Sequence, residues 1–332
     1  MIKIYPKLLE KDKIDVETLL KQEGIRFEEN VEKTFGKYEN AKLIATASIY
    51  KNIIKCVAID PSYKGGAIFN EMMTTLLSEL NQNSYDAAFV YTKPIYETSF
   101  ASIGFKEIER VGNELIFMEK SRYGFKSYLN KLRQRKVDGD VIGSIVLNAN
   151  PFTLGHQYLV DYGSKHSTYL YIFVVSEDAS YFSAKDRYEM VKLGVKNYDN
   201  IIIHTTDSYL VSAATFPSYF IDEEKSVTKI HASLDARIFK YHIGKVLEID
   251  KRFVGTEPND EATRIYNETM RVIFEENPNP NVPELVEIPR KKFAGEVISA
   301  SRVRKLLDEG KIDKIKDLVP QTTFDYIKKH KL

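Results

Sequence analysis

Two short stretches of this chain carry the residue types that bind and polarise a phosphate. The first is "NANPFTLGH", residues 148–156, directly after the apolar run "VIGSIVL". Gly155 has no Cβ, so its backbone can approach a ligand closely. A helix is expected to begin there, and its unpaired N–H groups and positive dipole end favour an anion. His156, in the first turn, and the Thr153 hydroxyl can each donate to a phosphate oxygen, while Pro151 shapes the turn and Asn148, Pro151 and Phe152 belong with Gly155 to the candidate binding residues. The second stretch is "GEVISASRVRKLLDEG", residues 295–310, where Ser299 and Ser301 open a helix and Arg304 follows one turn in. Hydroxyl donors beside a guanidinium make a good polyphosphate clamp. Each stretch alone also reads as an ordinary helix start, since Ser and Thr are common N-caps. Two anion-ready starts in one α/β region favour the paired reading.

The elements around them set the context. From residue 141 onward strands alternate with helices: "SIVLNA", "YLYIFVVS", "NIIIHT", "TKIHASL", "KRFVGT" and "ELVEIP" read as strands, with amphipathic segments between them. Nearly continuous apolar strands in β–α alternation predict a parallel sheet covered on both faces. Ligands in such sheets sit beyond the carboxyl ends of the strands, where "NANPFTLGH" lies. The first half mixes strands ("KLIATASIY", "NIIKCVAID", "DAAFVYTK") with the helix of "PSYKGGAIFNEMMTTLLSELNQ". The expected organisation is an α+β domain over residues 1–125, a basic connector over 126–140, and an α/β domain over 141–332.

Composition narrows the function classes. Lys+Arg at 48 and Asp+Glu at 47 nearly cancel, so no bulk basic field points to nucleic acid or an anionic membrane. No run approaches the ~20 apolar residues of a membrane span, and the N-terminus lacks a signal-like apolar core. The single cysteine, Cys56, permits no internal disulfide and fits a reducing cytoplasm. Its mid-strand position suits a buried thiol better than a nucleophile.

The pair "TLGH" and "ISASRVR" resembles the signatures of the nucleotidylyltransferase superfamily, whose members attack the α-phosphate of a nucleoside triphosphate and release pyrophosphate. A longer match, "GSIVLNANPFTLGHQYLV", "FVVSED", "ATFPSYFID" and "RFVGTEP" in that order, resembles the citrate lyase ligase family over roughly residues 140–320. That resemblance implies a Rossmann-like domain that uses ATP and Mg²⁺ to activate acetate. It also implies transfer of the acetyl group to the thiol of a dephospho-coenzyme-A-like prosthetic group on the citrate lyase acyl carrier subunit. By the same resemblance Thr153 and His156 contact the triphosphate, and Ser299, Ser301 and Arg304 hold the phosphates that leave. Gly255, Thr256 and Glu257 match the adenosine-binding position, or form a turn ahead of Pro258. Arg187 could reach a phosphate or the acid, or be a paired side chain.

In the first half, "CVAIDPSYKGGAIFNEMMTTLL" and "SFASIGFKEI" resemble the GNAT acetyltransferase fold. Gly65 and Ala67 fit the Gly-x-Gly/Ala part of its coenzyme-A turn, while Ser62 stands where Gln or Arg is usual. Two readings stay open there, a domain that docks the carrier's arm and a packing domain without ligand. Two other functions also remain for the whole chain: an adenylyltransferase that joins AMP to a phosphorylated small molecule, and a non-catalytic nucleotide-binding module.

Overall fold

The computed structural model describes residues 2–63, 66–177, 180–210, 216, 219–221, 224–256, 261–276, 283–289, 292–293 and 296–330. The chain forms two units, one of Met1–Ser127 with Thr215–Ile230, the other of Tyr128–Ala214 with His231–Leu332. Residues 215–230 thus join the first unit, although their neighbours in sequence belong to the second.

The first unit is built on β1 (Ile2–Tyr5), α1 (Glu10–Gln22), β2 (Lys33–Glu39), β3 (Lys42–Tyr50), β4 (Ile53–Ile59), α2 (Ala67–Gln82), β5 (Ala87–Thr92), α3 (Glu97–Ser102), β6 (Lys106–Val111) and β7 (Leu115–Ser121). The strands pair in the order β1-β2-β3-β4-β5-β7-β6. All neighbours are antiparallel except β4 and β5, which run parallel and pair only at Ile53–Phe89 and Ile54–Val90. Helix α2 lays Met72, Met73, Leu76 and Leu80 on a sheet face formed by Phe35, Ala45, Ile54, Val90 and Met118. Fully burying such a side chain contributes about 1.5–3 kcal/mol relative to leaving it exposed. Cys56 lies at a bulge of β4 with φ 51°, buried, and burial pushes its thiol up to about 12. A thiol held that high carries no thiolate at neutral pH.

Helix α4 (Gly124–Arg133) leads to β8 (Ile142–Leu147), α5 (Leu154–Lys165), β9 (Tyr169–Val174), α6 (Ala184–Gly194), β10 (Ile201–Thr205), α7 (Glu224–Ile238), α8 (Lys245–Leu247), β11 (Lys251–Gly255), α9 (Glu261–Glu275), β12 (Glu284–Ile288), the short pair β13 (Lys292–Phe293) and β14 (Glu296–Val297), α10 (Ala300–Asp308) and α11 (Gln321–His330). The second unit's main sheet has the order β10-β9-β8-β11-β12, with every pair parallel. The chain winds outward from β8 through β9 to β10, then returns to β11 on the other side. That reversal makes the β8/β11 boundary the switch point of the sheet. One face packs Ile145, Leu147, Ile172 and Val174 against α5, α6, α10 and α11 through Val160, Met190, Val303 and Phe324. The other face meets the α7–α9 layer, where Phe239 packs edge-on against Phe173 and under the Arg252 guanidinium at 4.3 Å.

One sequence expectation fails in this layer. "TKIHASL" belongs to helix α7 and is no strand. His231, Ala232, Ser233, Leu234, Asp235 and Ala236 are all buried, so the segment shows no amphipathic period by which a helix is read. The π-helical turn Phe239–Gly244 follows, and its buried Lys240 donates to the carbonyls of Ile273 (2.6 Å), Phe274 (3.4 Å) and Glu276. A cation against the last carbonyls of α9 satisfies those acceptors and opposes the negative end of the helix.

His204 in β10 is buried against Tyr171 and Phe173, its Nε2 has no hydrogen-bond partner among the described residues, and burial lowers its pKa to about 4. An unfolded imidazole titrates near ~6.5. Between these values the unfolded chain binds a proton that the folded chain does not, so stability is lost as pH falls through that window. His204→Phe is expected to remove up to about 3 kcal/mol of this acid-side loss. Urea melts of both proteins between pH 7 and 4 check it, and parallel losses in the two would contradict the assignment.

Candidate active site

At the carboxyl end of β8 the chain enters the turn Asn148–Thr153, which contains a cis Asn150–Pro151 bond. Thr153 then caps α5. Its hydroxyl accepts from the His156 amide at 3.3 Å, and its own amide donates to Nδ1 of His156 at 3.0 Å. This is a capping box in which His takes the place of the usual Glu. Because Nδ1 accepts a backbone hydrogen, the neutral ring carries its proton on Nε2, making that nitrogen a donor. Phe152, buried, stacks alongside the imidazole at 5.9 Å. Local sequence therefore sets both the angle and the tautomer of His156.

From sequence, Thr153 was expected to donate to the anion. The structure turns its hydroxyl to His156, 3.0 Å from Nδ1, and buries it. Thr153 is a positioning residue in this geometry.

Ser299 caps α10 by accepting from the Arg302 amide at 3.2 Å. One turn on, Arg304 donates to the Asn150 carbonyl at 2.7 Å and to the Ser301 hydroxyl at 3.1 Å. A Cβ on Gly155 would lie 3.2 Å from the Ile298 carbonyl oxygen, so the two helix starts meet at closest backbone approach. A side chain there would press on main chain, and glycine is what the approach requires. The Leu154 amide is already taken by the Leu318 carbonyl at 2.9 Å. Among the described hydrogen bonds none is made by the amides of Gly155, Ala300 or Ser301. Three backbone amides, an imidazole and a guanidinium thus belong to two helix starts that lie against each other.

Arg187 holds this arrangement from below. It is fully buried and donates to the Asn148 carbonyl (3.0 Å) and Oδ1 (2.8 Å), to the carbonyls of Val175 (2.7 Å) and Phe182 (3.2 Å), and to that of Glu177. Of the two roles open in the sequence, the structure gives it the paired one: it ties the β8 and β9 exits together. Nothing in its local sequence announces this, since its acceptors are mostly main-chain carbonyls. On the other side of the switch point, the Thr256 amide donates to the Ile288 carbonyl at 2.9 Å, and Asn267 donates to the Gly255 carbonyl at 3.2 Å. The β8–β11 ladder runs only through Lys251–Gly143 and Arg252–Ser144, so the two strands are unpaired where they approach the site. Glu257, Gly65 and Asp178 lie outside the described residues, while Ala67 is the first residue of α2 in the other unit.

A doubly wound parallel sheet with two helix starts close together at its switch point defines an α/β domain of the kind whose helix N-termini suit anions. Comparison with known proteins makes this specific. Residues 142–327 match the family described as the citrate lyase ligase C-terminal domain. The chain is 36% identical over 316 residues to the citrate (pro-3S)-lyase ligase of Haemophilus influenzae, covering 95% of this chain and 94% of that one. It is 36% identical over 315 residues to the enzyme of the same name from Escherichia coli, covering 94% and 89%. Among solved structures, Escherichia coli ElaA covers 36% of this chain and 99% of its own, at 15% identity and a TM-score of 0.33. The chain belongs to the citrate lyase ligase family of enzymes.

Removing the Arg187 guanidinium would leave several buried carbonyls without a donor. Arg187→Met is expected to cost about 3 kcal/mol or more of stability, and Arg187→Lys should restore little, because an ammonium cannot span the same acceptors. Guanidinium melts of the two variants check this; a change below about 0.5 kcal/mol for Arg187→Met would contradict the role.

Proposed function

We propose that this protein uses ATP to acetylate the prosthetic-group thiol of the citrate lyase acyl carrier subunit, through acetyl-adenylate, with release of AMP and pyrophosphate. The observation that carries the reading is the close approach of the α5 and α10 starts at the sheet's switch point, Gly155 against the Ile298 carbonyl and Arg304 on the Asn150 carbonyl. Family membership supports it, since the relatives are citrate (pro-3S)-lyase ligases. The carrier's dephospho-coenzyme-A-like group and a cytoplasmic setting belong to the same proposal.

In the first step an acetate oxygen attacks the α-phosphorus. The bond from that phosphorus to the bridging oxygen of the β-phosphate breaks, and pyrophosphate leaves with that electron pair. A carboxylic acid with pKa near ~4 is already ionised at neutral pH, so no general base is needed. The obstacle is negative charge meeting negative charge. Nε2–H of His156 donates to the α-phosphate as charge builds there, and Arg304 with the α10 amides receives the departing phosphates. Arg304 arrives pre-aimed, because Asn150 and Ser301 already hold it. Gly255, Thr256 and Glu257 would flank the adenosine.

No group of three or more His, Cys, Asp or Glu side chains placed to hold a metal occurs among the described residues. Mg²⁺ at such sites is carried largely by the substrate's phosphates and water, and when bound it offsets their charge. In the second step the thiol sulfur attacks the acetyl carbon, the thiol proton is lost, and the C–O bond to AMP breaks. Cys56, buried and with its thiol pushed up, takes no part. The first unit is proposed to receive the carrier's arm, with Gly65 and Ala67 at its phosphate-bearing end.

Acetate-dependent exchange of labelled pyrophosphate into ATP isolates the first step. His156→Ala should lower it by about 100-fold or more, the scale of losing one preorganised donor. Exchange near the wild-type rate would contradict the role of His156. Release of AMP only after a thiol acceptor is added separates this reaction from an adenylyltransferase that leaves AMP in its product.

A further inference from the structure

One stretch of the chain separates its charges. From Lys120 to Lys136 there are seven Lys and Arg and no Asp or Glu, in a protein whose net charge is +1. The rest of the chain is therefore net acidic. Three of the seven cations are engaged. Lys120 donates to the Ile103 carbonyl at 2.5 Å, Arg135 to the Ile203 carbonyl at 2.8 Å, and Lys136 pairs with Glu248 at 2.9 Å. Arg122, Lys126, Lys131 and Arg133 are exposed, and none of them pairs with a carboxylate among the described residues. Cations elsewhere on the surface do pair, as Lys37 does with Glu71 and Lys165 with Asp161.

Helix α4 sets these side chains out on one surface. Its apolar side, Phe125, Tyr128 and Leu132, is buried at helical spacing. Lys126 and Arg133 lie on the outer side, about 10 Å apart along the axis, with Asn130 between them accepting from Arg133 at 3.3 Å. Arg122 lies over the Tyr123 ring at 5.4 Å, and that ring is 68% exposed. Helix stability does not account for the pattern. Lys131 and Arg133 suit the negative end of the dipole, but Arg122 and Lys126 stand at its positive start. The α4 start is not an open anion site either. Ser121 Oγ accepts from the Gly124 amide at 2.9 Å, and Glu119 accepts from the Phe125 amide at 2.6 Å.

We infer that the outer face of α4 docks the acyl carrier subunit through an acidic patch on that protein. The inference rests on the reading that the carrier is the acceptor, and adds where this chain meets it. The first step uses only small molecules, whereas the second must bring a whole protein to the enzyme. An extended polyanion, nucleic acid or anionic bilayer, would also face the acidic remainder of the chain. A small protein with a local acidic patch meets the cations alone, because charges at physiological salt act over about 8 Å. Complementary charge of this kind speeds encounter and fixes orientation.

Titration calorimetry of the full chain with the deacetylated carrier subunit, without nucleotide, tests this. The double variant Lys126→Glu/Arg133→Glu should weaken binding at least about tenfold. Lys126→Arg/Arg133→Lys, which keeps both charges, should stay within about twofold of wild type. Raising salt from about 50 to about 500 mM should weaken wild type at least about tenfold, a readout that needs no variant. Free dephospho-coenzyme A, the arm without its protein, should not distinguish wild type from the charge-reversed variant. Carrier affinity indifferent to salt or to charge reversal overturns the inference, as does failure of the carrier to bind. An equal loss for the free arm overturns it too, since the face would then read the arm's phosphates. So does tight binding of wild type to RNA or phosphatidylglycerol vesicles that charge reversal abolishes. Pyrophosphate exchange needs no carrier and should be the same in both proteins. Its absence from wild type with the carrier still bound contradicts the ATP reading alone. Its presence with carrier binding untouched by charge reversal contradicts this inference alone.

Discussion

The hydrogen bond from Arg304 to the Asn150 carbonyl is the contact on which the arrangement of the second unit's candidate site depends. It joins the start of α10 to the turn ahead of α5, two places far apart in the chain. Gly155 lets those starts close to backbone distance, and the Leu318 carbonyl on the Leu154 amide fixes the angle of α5. Arg187 pins Asn148 from the opposite side. With the turn held at both ends, each donor is oriented before any ligand arrives. Preorganisation of this kind is what makes dipoles effective on a developing charge, since none has to reorient during reaction.

Both units use the same device to make room for a ligand. In each sheet two parallel neighbours are paired for only two residues and are then unpaired, β4 from β5 and β8 from β11. Parted parallel strands expose backbone groups that a continuous ladder would consume. The second unit adds helix starts to its gap and so favours an anion.

Much of the second unit was legible in its sequence, because its strands are apolar runs and its two helix-start turns carry short-range signals. "TLGH" and "ISASRVR" marked helix starts from local chemistry alone, and the capping by Thr153 and Ser299 is local too. What local chemistry could not give was the role of His156 Nδ1, since a His in place of Glu at that step of a capping box is not the usual signal. Arg187 was unreadable for another reason: its acceptors come from two loops, those after β8 and β9, and include no carboxylate among the bonds described. Helix α7 was misread because burial on every side removes the period that separates helix from strand. The placement of Thr215–Ile230 with the first unit depends on contacts such as Arg26 with Ile221, which no composition shift marks.

The central claim is that one triphosphate engages both helix starts at once. Amide hydrogen exchange with and without Mg-ATP reads those backbone donors directly. Adding nucleotide is expected to protect the amides of Gly155, Ala300 and Ser301 simultaneously, with Arg304→Gln weakening the protection at both places together. Protection confined to one helix start, or absent from both while nucleotide is bound, would contradict it.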